Sequence, residues 1–212
     1  MPTSIQIPVL STSGVPYQSN QAWDFATARA MNGNATMSTL AAGFETNSYQ
    51  YTYLAFCRCG LFFDTSVLGK GTIIHRARLA MYLTKKHNIY NANGYVDIVA
   101  CKSNHHIPLI NSDLEGNRGY GDELGRISIK NNTEKLALTL NAYNYLYFTD
   151  LSFIDVNGIS KINLQNDADR YNHDPQMGSS QVAQFVMQKS SDANPAYLDI
   201  NYSRGAEICF AD

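Results

Sequence analysis

The stretch from residue 49 to residue 64, YQYTYLAFCRCGLFFD, restricts the fold more than any other part of this 212-residue chain. Tyr49, Tyr51, Tyr53, Ala55, Cys57, Cys59, Leu61 and Phe63 fall on one alternation, and Leu54, Phe56 and Phe62 on the other. Side chains of an extended chain point to opposite faces in turn. Apolar residues in both phases therefore predict one strand that is covered on both sides for part of its length. Gly60 permits a close backbone approach there. Asp64, Thr65 and Ser66 follow with side chains that can cap their own backbone, and residues 67–71 make a turn.

A second strand is expected over residues 73–84. Ala77, Leu79, Met81 and Leu83 line one face, and His75, Arg76, Arg78 and Tyr82 occupy the other phases. A third covers residues 95–101, after the turn-forming Asn91-Ala92-Asn93-Gly94. Further strands are expected at 126–130, 136–140, 158–164, 181–187 and 197–202, with polar loops at 102–125 and 165–180. Residues 141–147 read equally as a short helical turn or an edge strand. No fixed-period repeat and no Pro-, Gly- or Ser-rich linker divides the chain. The expected fold is all-β, a two-sheet antiparallel sandwich of jelly-roll type. It occupies residues 20–202, with an N-terminal arm at 1–19 and a tail at 203–212 that carries an apolar Ile208-Cys209-Phe210 tip.

Charge narrows the partners. Only 16% of residues are charged, against about 25% in ordinary domains, while 14 are tyrosine and the net charge is −2. A basic footprint for nucleic acid is missing. Apolar runs stop well short of the ~18 residues that a helical membrane span needs. The start of the chain has neither a basic nor a long apolar segment, so no export signal is expected. Cys57, Cys59, Cys101 and Cys209 follow neither a CxxC nor a zinc pattern and read as buried thiols of a reducing compartment.

Residues for chemistry are sparse. His105-His106 precedes Pro108 and lies near Asp113 and Glu115. Adjacent histidines on an extended chain point apart, so they read as solvated loop residues rather than ligands. Asp167, Asp169 and Asp174 begin like a calcium loop, but the glycine and the closing carboxylate of an EF-hand are missing. They stand as candidate ligands for a structural calcium, and no other cofactor is expected. No Gly-x-Ser-x-Gly or phosphate-cradling pattern is present, and the expectation is a protein without catalytic residues.

Arg58 shares a buried strand with aromatics and needs a carboxylate or carbonyl partner. Asp64, Asp167 and Asp169 are the candidates, and a structural ion pair is favoured over a ligand-binding role. Trp23, the one tryptophan, is read as core. Tyr120, Tyr171 and Arg170 are candidate glycan-binding residues, because aromatic faces stack on sugar rings while Arg bonds hydroxyls. Tyr143, Tyr145 and Tyr147, spaced by two, share a face. That face is core, sugar platform or subunit interface, with interface or core ranked above platform.

The order of these segments resembles the DNRLRE-type domain, a jelly roll grouped with carbohydrate-binding modules and found in secreted and viral proteins. Four blocks carry the likeness: Trp23 with Ala28-Arg29; residues 56–66, which end in Phe63-Asp64-Thr65-Ser66; residues 74–83, with Ala77, Leu79 and Met81; and Ser190-Ser191 with Pro195, Leu198, Ile200 and Tyr202. The resemblance implies a non-enzymatic binding domain. With no export signal, free cysteines and a neutral Tyr-rich surface, the expectation is a virion component made in the host cytoplasm: a phage capsid-decorating, fibre or tail protein. Its expected partners are other virion proteins or copies of itself in a homo-oligomer, with a glycan as a further partner and neither nucleic acid nor membrane. The alternative is an extracellular carbohydrate-binding module acting with a polysaccharide-degrading enzyme.

Overall fold

The computed structural model describes residues 2–18, 24–30, 33, 35–37, 40–47, 52–86, 97–117, 121–128, 138–172 and 182–204. Thirteen strands are found among them: β1 (Thr3–Pro8), β2 (Val15–Gln18), β3 (Ala35–Met37), β4 (Leu40–Asn47), β5 (Thr52–Cys57), β6 (Cys59–Asp64), β7 (Thr72–Lys86), β8 (Asp97–Lys102), β9 (Glu123–Ser128), β10 (Tyr143–Tyr147), β11 (Ile159–Asn166), β12 (Val182–Met187) and β13 (Tyr197–Arg204). Three short helices, α1 (Phe25–Ala30), α2 (Asp113–Gly116) and α3 (Asp167–Tyr171), lie between them.

Two antiparallel sheets result. The smaller runs β6-β11-β8-β9. The larger runs β1-β13-β7-β12-β4-β5-β2-β3, with β10 also paired to β7. Alternation in β7 works as the sequence implies. Ala77, Leu79, Met81 and Leu83 point inward against Cys59, Leu61 and Phe63 of β6, Ile98 and Ala100 of β8, and Ile162 and Leu164 of β11. Leu198 and Ile200 of β13 and Ile7 of β1 complete that layer, and Val15, Leu40, Cys57 and Met187 bring the rest of the larger sheet onto the same core. The fold is thus an all-β sandwich whose chain crosses from one sheet to the other at six of the twelve connections between successive described strands.

Hydrogen bonds stitch the sheets at both edges. Val9 bridges Phe63 and Gly14 bridges Gly60 on one side, and the Thr149 amide donates to the Leu124 carbonyl at 2.7 Å on the other. At that second edge Gly125 lies so close to β10 that a Cβ would sit 2.4 Å from the Tyr147 carbonyl oxygen. Backbone cannot yield as a side chain can, so Gly125→Ala is expected to cost about 1–3 kcal/mol, read from urea denaturation.

Several expectations change. The segment 49–64 is not one strand. It breaks at Arg58, with β5 in the larger sheet and β6 in the smaller. Cys57, Cys59, Leu61 and Phe63 share the core, and Phe62, in the other phase, is buried on the far side of β6, so β6 is covered on both faces. Residues 1–19 do not form a separate arm, because β1 pairs with β13 and β2 with β3 and β5. Residues 141–147 contain the strand β10. The loop 102–125 holds α2 and buried groups, and β11 runs on to Asn166 before α3 starts. Cys57, Cys59 and Cys101 are buried. Residues 205–212 of the tail, with Cys209, lie outside the described residues.

Candidate binding face

Outward-pointing positions of β10, β7 and β13 form one tyrosine-rich surface. Tyr143 is opposite Tyr82, Tyr145 opposite Ala80, and Tyr147 opposite Arg78; on the other side of β7, Tyr197 is opposite Ala80 and Asp199 opposite Arg78. Ala80 is the reason the rings can close up. Its methyl group lies between two tyrosine positions and is fully buried. Tyr82 and Tyr143 meet edge to face at 5.4 Å between centroids, and Tyr143 and Tyr197 at 5.2 Å. Such pairs contribute about 0.5–1.5 kcal/mol beyond the area they bury.

Arg78 fixes the other half of the face. Its Nε donates to Asp199 Oδ2 at 2.8 Å and its NH1 to the Tyr147 hydroxyl at 3.3 Å. The guanidinium sits 4.2 Å from the centre of the Tyr145 ring, a cation–π contact. The Tyr147 hydroxyl first, and then Asp199, hold the Arg78 pKa above its ordinary value. Burial and the Tyr145 hydroxyl push Tyr197 up to about 12, so its phenol stays neutral and can donate. Beside these rings Gln6, Pro8, Tyr143, Pro195 and Tyr197 enclose a groove of about 260 Å³. Of the three roles open to Tyr143, Tyr145 and Tyr147, core is removed: Tyr147 is 50% exposed, and the other two are half-buried.

The back of the small sheet is built differently. Its outward positions, Phe62, Val99, Cys101, Asn163 and Gln165, are fully buried, because the segment 103–117 and α3 cover them. Arg58, also fully buried, clamps that cover. Its Nε and NH2 donate to Asp169 Oδ2 and Oδ1 at 2.6 and 2.7 Å, and its NH1 donates to the Leu114 carbonyl. Asp113 ties the cover to itself by accepting from the His106 and Ile110 amides and pairing with His106 Nδ1 at 2.7 Å. His105 is a correction. It is not solvated but 1% exposed, packed over Gly60 and edge-on to Phe62. Burial, the largest cause, lowers its pKa to about 4, so the imidazole is neutral.

The remaining candidates are scattered. Asp64 is exposed and accepts from the Ser66 amide and hydroxyl, so it does not meet Arg58. Both oxygens of Asp169 bond to Arg58, while Asp167, two residues earlier, accepts from the Ala168 amide. No group of three metal-ligating side chains occurs among the described residues. Tyr171 is exposed, with its hydroxyl bonded to Glu123 and to Arg126 NH2. Arg126 forms a two-pronged pair with Glu123 at 2.8 Å. Arg170 reaches the Gly121 carbonyl at 2.7 Å. Trp23, Tyr120 and Asp174 lie outside the described residues.

The chain matches no protein-family model and no curated protein. No helix among the described residues is long and apolar enough to cross a membrane. The sequence reading found the β10 tyrosines. It missed Tyr82, Arg78, Tyr197 and Asp199 as their neighbours, although the off-phase residues of 73–84 carried part of the signal.

Proposed function

We propose that this protein is a non-enzymatic binding and assembly module, a component of a viral particle, and that it meets its protein neighbour through the tyrosine face. The observation that carries the reading is the cluster of Tyr82, Tyr143, Tyr145, Tyr147 and Tyr197 around Ala80, with Arg78 and Asp199 beside them. Tyrosine and arginine are the residues enriched where proteins bind one another. A sheet face offers contact area rather than a deep cleft, which suits a protein neighbour.

Size and symmetry in native material test the proposal. A closed symmetric oligomer or a particle-bound chain is expected, and Tyr145→Ala is expected to weaken that association about 30-fold or more. The same substitution should lower the stability of the single chain by no more than about 1 kcal/mol. A monomer at all concentrations, with no association to any particle, would remove the assembly role.

The groove beside Pro8 and Pro195 supports a second reading, a carbohydrate-binding module acting outside the cell. Two tyrosine faces and two prolines match the apolar side of a sugar ring, and the Gln6 amide can bond a hydroxyl. Glycan-array binding by the isolated chain that disappears in Tyr197→Ala would favour it over assembly.

A further inference from the structure

A second depression lies away from the tyrosine face, where β8 ends and β11 begins. It has a volume of about 350 Å³ and is lined by Lys102, Ser103, Phe153, Ile159 and Lys161. That volume is at the small end of the roughly 300–1,000 Å³ typical of small-molecule pockets. Its charges are unevenly matched. Lys102 Nζ bonds to Asp122 at 2.9 Å and lies 3.7 Å from Asp150. The half-buried Lys161 Nζ donates to the His105 carbonyl at 3.1 Å, and it forms no ion pair with a carboxylate among the described residues.

A half-buried ammonium with only a neutral partner in reach attracts an anion. The Ser103 hydroxyl is engaged with His105 Nδ1 at 2.6 Å, which leaves the two ammonium groups as the anion's donors. The other wall is apolar. Phe153 is anchored by Phe148 at 4.7 Å between centroids, and Ile159 is 39% exposed. Both carboxylates, Asp122 and Asp150, stand at Lys102, which leaves Lys161, among the described residues, as the ammonium without one, so the site suits a single negative charge better than two.

We infer that this depression binds a small carboxylate on an apolar body, with the carboxylate between Lys161 and Lys102 and the body against Phe153 and Ile159. Benzoate is the probe, benzamide its neutral counterpart of nearly the same shape, and inorganic phosphate the doubly charged comparison. Amide shifts of the full chain are followed at fixed ionic strength. Benzoate should shift residues 102, 103, 153, 159 and 161 and bind about tenfold tighter than benzamide or phosphate. Lys161→Met should weaken benzoate about tenfold, and Lys161→Arg should keep it within about threefold of the wild type.

Equal binding of benzoate and benzamide would overturn the inference. So would tighter binding of phosphate, shifts confined to other residues, or an unchanged affinity in a folded Lys161→Met. Should that variant fail to fold, the benzoate and benzamide pair on the wild-type chain decides alone. The tyrosine-face variants leave this readout untouched, so its failure is separate from failure of the assembly reading.

Discussion

Arg58→Met is expected to destabilise the protein by about 3–5 kcal/mol, the range for breaking one side of a buried ion pair. The loss does not come mainly from the missing attraction. Asp169 is 2% exposed, and without the guanidinium its carboxylate stays buried with its chief partner gone. The Leu114 carbonyl loses its donor as well. α2 and α3 would then detach from the back of the small sheet, exposing Phe62 and Val99. Urea denaturation should record a lower midpoint, and hydrogen exchange should rise in 103–117 and 167–171 before the strands open. The double variant Arg58→Met with Asp169→Leu tests the cause. It should recover much of the loss, because no charge remains buried. A single variant as stable as the wild type would show that the clamp contributes nothing to the cover.

This clamp marks how far sequence reading reaches. The alternation of β7 was readable because period-two burial is a local property, and it survived there. β11 was expected as a strand, but from Ile162 to Asn166 it is buried on both faces. Arg58 was recognised as a buried cation in need of an anion. Its partner was not decided, since Asp64, Asp167 and Asp169 fit equally well along the chain. Only the passage of the strand from one sheet to the other at Arg58 chooses Asp169, 111 residues away, and leaves Asp64 in solvent. That passage was hidden because either half of 49–64 makes an acceptable strand. The burial of His105 was hidden for a related reason. A polar segment reads as a solvated loop, yet this one folds back over Gly60 and satisfies its backbone through Asp113 and Asn117. The tyrosine face was half readable. Residues on one strand declare their shared side, but which other strands stand beside them depends on register across distant segments.

Asp167→Asn is expected to raise stability by about 2 kcal/mol at pH 8 and to change it little at pH 4. Burial is the main reason that the Asp167 carboxyl titrates at about 7 rather than 3.8, and the nearby Asp97 carboxylate adds to it. Hydrogen bonds from the Ala168 and Asp97 amides, and the charge of Arg126, oppose the shift without cancelling it. A carboxyl with a raised pKa holds its proton more tightly in the folded state than in the unfolded state. Stability from this group is therefore full below about pH 3.8, falls as pH rises toward 7, and is level beyond. The whole shift corresponds to roughly 4 kcal/mol, and the cost of burying the asparagine amide brings the expected gain to about 2. Asparagine keeps an oxygen for the Ala168 amide and gives Asp97 a donor, with no proton to lose. His105 acts in the opposite direction, since its lowered pKa removes stability on acidification from about 6.5 toward 4. The wild-type profile alone would mix the two. The difference between variant and wild type, measured by thermal melting from pH 4 to pH 8, isolates Asp167. It should open steadily across that window, and two parallel curves would mean that Asp167 is ionised throughout and that α3 carries no proton-linked strain.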